Sequence, residues 1–421
     1  MAVSERERTA HVLRRLSMGT QPELASSLTS SQDAISRALD LSAPGSIPPP
    51  LPAAPPAATP KVRTEVRRLT DAYTWWFARM ASPQRMIAER LVWFWTDHFA
   101  IGMQKVRSAD LVWQFHSTIR RLATGSFADL LRAVAKDGAM LVYLDGIRNS
   151  ARQSNENFAR EVMELHALGR DRYTQLDVVA ASRAFTGWIV RNPYVPATER
   201  TAPSDTPEFG SYFLARRNDG DSKTLLGVTG PLDLDRALDV ILSQPATAGF
   251  VATKMYRAFV GLEPDEATAA DLAATFRRDW SITSLVHAIV ERPAFRSDAA
   301  VRTIARSPVE KLIGLAQATG TTRMNMQSAL TTLKALGYVP FFAPNPAGYP
   351  KGSALIGPQQ LVQAFDLSNA VDEVVSEDAR DTLARFGIFD AGAATQAAMS
   401  KAATGRMRTL LALGTPEYAV R

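Results

Sequence analysis

The sequence predicts a mostly α-helical, large multi-helix globular domain interrupted by a small β-hairpin insertion. Three observations carry this expectation. Apolar residues recur at three- and four-residue spacing along most of the chain. Hydrophobic residues make up 46% of the 421 positions, which supplies a large core and excludes general disorder. One interval, 187–230, breaks the helical pattern with prolines and an Asp-Gly turn.

Taken in order, Arg6–Leu16 has helical spacing, and Thr20–Leu28 and Ser30–Leu39 follow as short helices. Pro44–Pro60 holds eight of the 25 prolines and can be neither helix nor central strand, because proline lacks the amide donor. It reads as a surface strap, or alternatively as a ligand for a proline-recognition module. Val62–Met80 is expected to form one helix, and Pro83 to open the next at its first turn. Five of the seven Trp lie between Trp75 and Trp113, which places the centre of the core there. Further helices are expected over Ala109–Leu122, Phe127–Ala135, Asn155–Leu168 and Leu176–Thr186. The hairpin is expected over about Tyr212–Leu226, turning at Asn218-Asp-Gly. Helices resume over Leu234–Ser243, Ala246–Val260, Glu266–Asp279, Ser281–Glu291, Pro308–Ala318, Met324–Leu336 and Gln359–Ala370. Tyr338–Gly357 is a loop, and two or three helices close the chain over Asp378–Leu413.

Composition narrows the function classes. The net charge is +6, from 48 Lys and Arg against 42 Asp and Glu, and only nine of the basic residues are Lys. No Lys/Arg-rich run marks a nucleic-acid arm, so no nucleic-acid partner is expected. With no cysteine, disulfides, thiolate metal sites and a Cys nucleophile are excluded. The first residues are charged, and no run of 18 apolar residues occurs; Leu91–Met103 comes nearest and contains Asp97 and His98. No membrane association is expected, and the location is expected to be cytoplasmic, a mature secreted form being the alternative. The nucleophile elbow, the phosphate-binding loop, the zinc-protease motif and dinucleotide fingerprints are all absent.

The chemistry that remains centres on Glu161, Glu164 and His98. By helical spacing Asn157, Glu161, Glu164 and Leu168 share one face, beside the apolar Phe158, Val162 and Leu165. Two carboxylates next to a buried stripe are how metal sites in helical bundles begin. His98 shares a face with Leu91, Phe94 and Trp95, so it points inward and could complete the set as acid–base group or metal ligand. Without Cys, a divalent metal there would take O and N ligands, which suits Zn, Mn or Fe. The alternative is an ion-pair network. Glu156, Arg160 and Glu164 are spaced by four, and Arg14, Arg15 or Arg183 could neutralise the pair. Asp177 follows Thr174 by three and reads as a capping box, and His166, near its helix end, as a cation on the helix dipole. His11, His116 and His287 lie on ordinary helical stretches.

Several strings together resemble a bacterial family catalogued as domain of unknown function 1800. They are Asn155-Glu-Asn-Phe-Ala-Arg-Glu161, His11-Val-Leu-Arg-Arg, Asp219–Lys223 with Leu226-Gly227, Pro245–Lys254, and Pro344-Asn-Pro-Ala-Gly348-Tyr-Pro. The resemblance spans nearly the whole chain and, with the single early Pro-rich break, implies one domain over residues 1–421. Asn218 stands where the family's hairpin has His, and Tyr349 where its late loop has Trp. The resemblance implies no established activity. It implies as an alternative function a non-catalytic partner or scaffold, since relatives are often encoded beside a phosphatase- or sulfatase-like protein.

Overall fold

Most helices of the molecule begin at a residue that caps its own amide ends. Ser4, Ser30, Ser108, Ser126, Asp137, Asp233, Asp265, Ser281 and Asn325 each accept a hydrogen bond from the backbone N–H two or three residues on. Thr174 and Ser307 go further and form reciprocal capping boxes with Asp177 and Glu310. The structure is a computed structural model that describes residues 3–43, 45–52, 62–191, 209–372, 375 and 378–421.

The fold is mostly α-helical. The longer helices are α1 (Glu5–Leu16), α2 (Thr70–Ala81), α3 (Met86–His98), α4 (Ala109–Leu122), α5 (Phe127–Ala135), α6 (Gln175–Ala184), α7 (Leu234–Ser243), α8 (Pro245–Val260), α9 (Glu266–Arg277), α10 (Ile282–Val290), α11 (Pro308–Thr319) and α12 (Met326–Ala335). Their apolar faces meet in one contiguous cluster that runs from Val12 to Tyr418. Its aromatic centre is where the Trp density placed it. Trp76 is fully buried, with Phe341 at 5.5 Å, Trp93 at 6.1 Å and the His116 ring at 4.3 Å. No described helix is long and apolar enough to cross a membrane.

Several local expectations fail for identifiable reasons. The helix expected over Val62–Met80 breaks at Leu69 into Val62–Arg68 and α2. Pro83 lies in a bend, and α3 starts at Met86 with Arg85 in the left-handed region before it. The helix expected over Asn155–Leu168 is α-helical only over Glu156–Glu161. It then widens into a π-helical turn over Val162–Ala167. The hairpin is rearranged. Residues 211–213 form β2, which pairs antiparallel with β1 (Trp188–Val190), while β3 (Lys223–Leu225) pairs with β4 (Val228–Gly230). The tight turn is Leu226-Gly227, both at positive φ, the mirror-image geometry that two-residue hairpins favour. The Asn218-Asp-Gly segment instead packs against α6, where Asp219 takes the Arg183 guanidinium at 2.6 Å.

Of the Pro-rich stretch, Pro44 and residues 53–60 lie outside the described residues. In the described part, the carbonyls of Pro49 and Pro52 accept hydrogen bonds from Trp113 Nε1 at 2.7 Å and Arg68 Nε at 2.9 Å.

Candidate functional site

Helix α3 presents two stripes to two different environments. Leu91, Trp95 and His98 face the packed interior and are buried. Arg90, Trp93, Phe94 and Asp97, spaced by three, one and three, form the neighbouring stripe and line a cleft of about 390 Å³. Helix α8 also lines the cleft through Lys254, Arg257, Ala258 and Phe259. Ser307 and Glu310, at the start of α11, form part of the floor with Arg421. Tyr338 and the segment Lys351–Leu355 form a lip. The walls are largely apolar, as is usual where a small molecule binds.

The charges of the cleft are held by long-range bonds. Asp97 Oδ1 accepts the Tyr349 N–H at 2.9 Å, and Oδ2 pairs with Lys351 Nζ at 2.7 Å. Gly348, at φ +99°, makes that approach possible, since a Cβ there would lie 2.3 Å from Asp97 Oδ1. Glu310 Oε1 receives Arg90 Nη1 at 2.6 Å and Arg421 Nε at 2.8 Å, and Oε2 accepts the Ser307 N–H at 2.8 Å. Burial alone would raise the Glu310 pKa, but Arg421, Arg90 and the Ser307 amide outweigh it and bring it to about 2. Lys254 is different. It makes no hydrogen bond or ion pair with a described residue, and its closest recorded partner is the face of Phe250 at 5.8 Å. Burial, reinforced by Lys351 and opposed by Asp97, lowers its pKa to about 8.

The residues singled out by sequence occupy other surroundings. His98 is one position past the cleft stripe and turns into the core, stacked on Phe94 with ring planes 13° apart. Its Nε2–H donates to the His166 carbonyl at 3.1 Å. Burial, then the nearby charges of Lys254 and His166, hold it well below the usual histidine range, so it is neutral. His166 sits in the π-helical turn, its ring 5.9 Å from that of His98. Burial and then Lys254 lower its pKa to about 3, which corrects the expectation of a dipole-stabilised cation.

Glu164 is bound by near neighbours, with Oε1 accepting Arg170 Nε at 2.8 Å and Oε2 the Tyr173 hydroxyl at 3.0 Å. Glu161 is half-buried, and burial, then Glu164, raise its pKa. Of the four arginines offered as the alternative that could neutralise this pair, none hydrogen-bonds it, and Glu164 takes Arg170 instead. Arg14 engages Glu7, Arg15 the Ala300 carbonyl, Arg160 Glu156, and Arg183 Asp219. Among the described residues no three His, Asp or Glu side chains converge to hold a metal ion, so His98, Glu161 and Glu164 are not brought together as a ligand set. The π turn accounts for part of this. Its extra residue per turn shifts the phase of the helix after Val162, so the face inferred from α-helical spacing does not persist.

Three other singled-out positions have structural work. Asp177 forms its capping box and also accepts the Leu226 N–H at 2.7 Å, which fixes the hairpin turn. Tyr349 stacks on Trp93 and on Tyr338, at 5.9 and 4.9 Å, and its hydroxyl donates to the Val339 carbonyl at 2.9 Å. A tyrosine there ties the loop to itself. Asn218 Oδ1 accepts a hydrogen bond from the Thr186 hydroxyl at 3.3 Å.

Sequence reasoning missed Arg90, Asp97, Lys254, Glu310 and Arg421. Two signals were available. Arg90 and Asp97 bracket two aromatic residues at helical spacing, and Lys254 is the lone lysine of an otherwise largely apolar helix.

The chain finds no match among curated proteins and none among solved structures. Residues 11–420 match a family described as a protein of unknown function (DUF1800). With essentially its whole length covered, and with the strings around Asn155, Lys223, Lys254 and Gly348 placed in one helical fold, the chain belongs to the DUF1800 family.

Proposed function

We propose that the protein is an enzyme acting on a small organic molecule in the cleft between α3 and α8, with Lys254 as its proton-transferring or nucleophilic group. The observation that supports this is the amine of Lys254, which has no hydrogen bond or ion pair among the described residues and lines a mostly apolar cleft. A lysine with a pKa near 8 has a substantial neutral fraction close to neutral pH, which a general base or nucleophile requires. Asp97 acts as a positioning residue. It holds Lys351 and the Tyr349 backbone at the rim and leaves the amine as the reactive group. His98 belongs to the packing behind this cleft on this reading, and Glu161 and a divalent metal are not part of it.

The test is consumption. Protein incubated with a cell-extract metabolite mixture, followed by mass spectrometry, is expected to deplete at least one compound. Lys254→Ala, folded by circular dichroism and melting at a comparable temperature, is expected to deplete none. Equal depletion by both proteins, or none by wild type across extracts, would overturn the assignment.

A further inference from the structure

The floor of the cleft holds a guanidinium that the fold does not fully match. Arg421 is 8% exposed, and its backbone is clamped against the distant residues Ile304 and Ala305, its N–H donating to the Ile304 carbonyl at 2.8 Å. Its Nε forms an ion pair with Glu310 Oε1 at 2.8 Å, but neither that Nε nor the buried Nη1 makes a hydrogen bond with a described residue. Leaving a buried charged donor unmatched costs free energy that a bound acceptor recovers.

The acids of the cleft cannot supply that acceptor. Glu310 is already shared between Arg90, Arg421 and the Ser307 amide, and Asp97 between Lys351 and the Tyr349 amide. Arg257 turns to Glu263 at 2.6 Å. The remaining cleft cations are Arg90, Lys254, Lys351 and Arg421. They face two committed carboxylates, and Lys254 has no anionic partner of its own.

We infer that this floor is an oxyanion site, in which a carboxylate or phosphate group of the ligand is held by the Arg421 fork, with Lys254 lining the same cleft. A guanidinium suits this role because its parallel N–H groups match a two-oxygen acceptor. Trp93, Phe94 and Leu355 then cover the hydrocarbon part of the same molecule. The inference rests on the cleft being the ligand site and names the class of molecule it takes, a small organic anion.

The test uses the full-length protein with succinate, inorganic phosphate and the neutral succinamide as probes. Binding is measured by calorimetry, alongside the pH dependence of Lys254 acylation read by peptide mass spectrometry. At least one oxyanion is expected to bind, to slow acylation of Lys254 and to move its titration to higher pH, while succinamide does neither. Whether succinate or phosphate binds more tightly identifies the source of the oxyanion.

Arg421→Gln is expected to weaken binding by at least about tenfold, the loss of one charged hydrogen bond. Arg421→Lys keeps a charge beside Glu310, so its thermal melt separates lost binding from lost folding. It too is expected to bind more weakly, because it lacks the fork. The inference is overturned if neither oxyanion binds wild type, if succinamide binds equally well, or if both Arg421 variants bind as wild type does. Oxyanion binding without any consumption would instead overturn the enzymatic assignment alone. Lys254-dependent consumption of a neutral compound would overturn the oxyanion site alone.

Discussion

Two regions of this molecule contain similar ingredients and do different things with them. Around Glu161 and Glu164, two carboxylates, an arginine and a tyrosine lie on one local stretch of chain, and Glu164 finds its partners six and nine residues away. Around Lys254, the acids and cations come from distant segments. Arg90 and Glu310 are 220 residues apart, and Asp97 and Tyr349 are 252 apart. The local group reaches its hydrogen bonds near solvent, where they are worth little. The distant group is assembled inside the fold, where most charges are matched and the Lys254 amine has no hydrogen bond or ion pair among the described residues. An ionisable residue marks a site less by its type than by what the tertiary structure withholds from it.

The comparison can be broken at its strongest point with Glu310→Gln. That variant leaves Arg90 and Arg421 buried without their shared carboxylate, and unfolding free energy is expected to fall by about 3–5 kcal/mol in a denaturant titration. The same residue gives a pH signature. Its folded pKa of about 2 lies below the ordinary 4.5, so its contribution is complete above that ordinary value and is lost as pH falls from there toward 2. Wild type is expected to lose stability across that window, and the variant to lack this part of the slope.

Next in size is Gly348→Ala, which adds a Cβ 2.3 Å from Asp97 Oδ1 at a residue with φ +99°. It is expected to destabilise by about 2 kcal/mol or more and to raise hydrogen exchange in the 345–351 loop. Conservation of both quantities would mean that the loop does not depend on this close approach.

Lys254→Met should move stability the other way. The unfolded amine stays protonated up to about its ordinary pKa of 10.5, whereas the folded one releases its proton near 8. Wild-type stability therefore rises with pH between those values, and the variant is expected to lack the rise. At neutral pH it is expected to be more stable than wild type by about 1–2 kcal/mol. A variant less stable than wild type at pH 7 would show that the amine has a partner after all.

Smallest is Glu164→Gln. Its ion pair joins side chains 21% and 79% exposed, so a loss of about 0.2–1 kcal/mol is expected, declining in high salt. A loss comparable to that of Glu310→Gln would erase the distinction drawn between the two regions.

Much of the fold was legible because helices are written locally. Capping residues such as Ser108, Ser126 and Asp233, and the three- and four-residue apolar spacing, mark elements within a single stretch of chain. The hairpin was placed in the right interval but given the wrong pairing. An Asp-Gly dipeptide favours a turn wherever it lies, while the choice of strand partner depends on what else is near, here Trp188–Val190. The π turn at Val162 was not legible, since no distinctive local pattern marks it.

The site was missed by one residue on α3. His98 drew attention as a titratable group on an apolar face, but an apolar face is the one a helix buries. The adjacent Arg90–Asp97 stripe was the face left open. Arg421 and Glu310 were out of reach, because nothing near either residue in the chain indicates that they meet.

The separations that define the cleft also set a timetable for its birth. A ribosome adding about 5–20 residues per second delivers Glu310 on the order of ten to forty seconds after Arg90, and the loop that clasps Asp97 later still. Through that interval the aromatic stripe of α3 can meet α8 but lacks the Glu310 and Tyr349 segments, so the lining around Trp93 and Phe94 is incomplete. A chain released before Glu310 thus lacks part of the cleft lining, and the Lys254 amine reaches its full surroundings only in a molecule that is nearly finished.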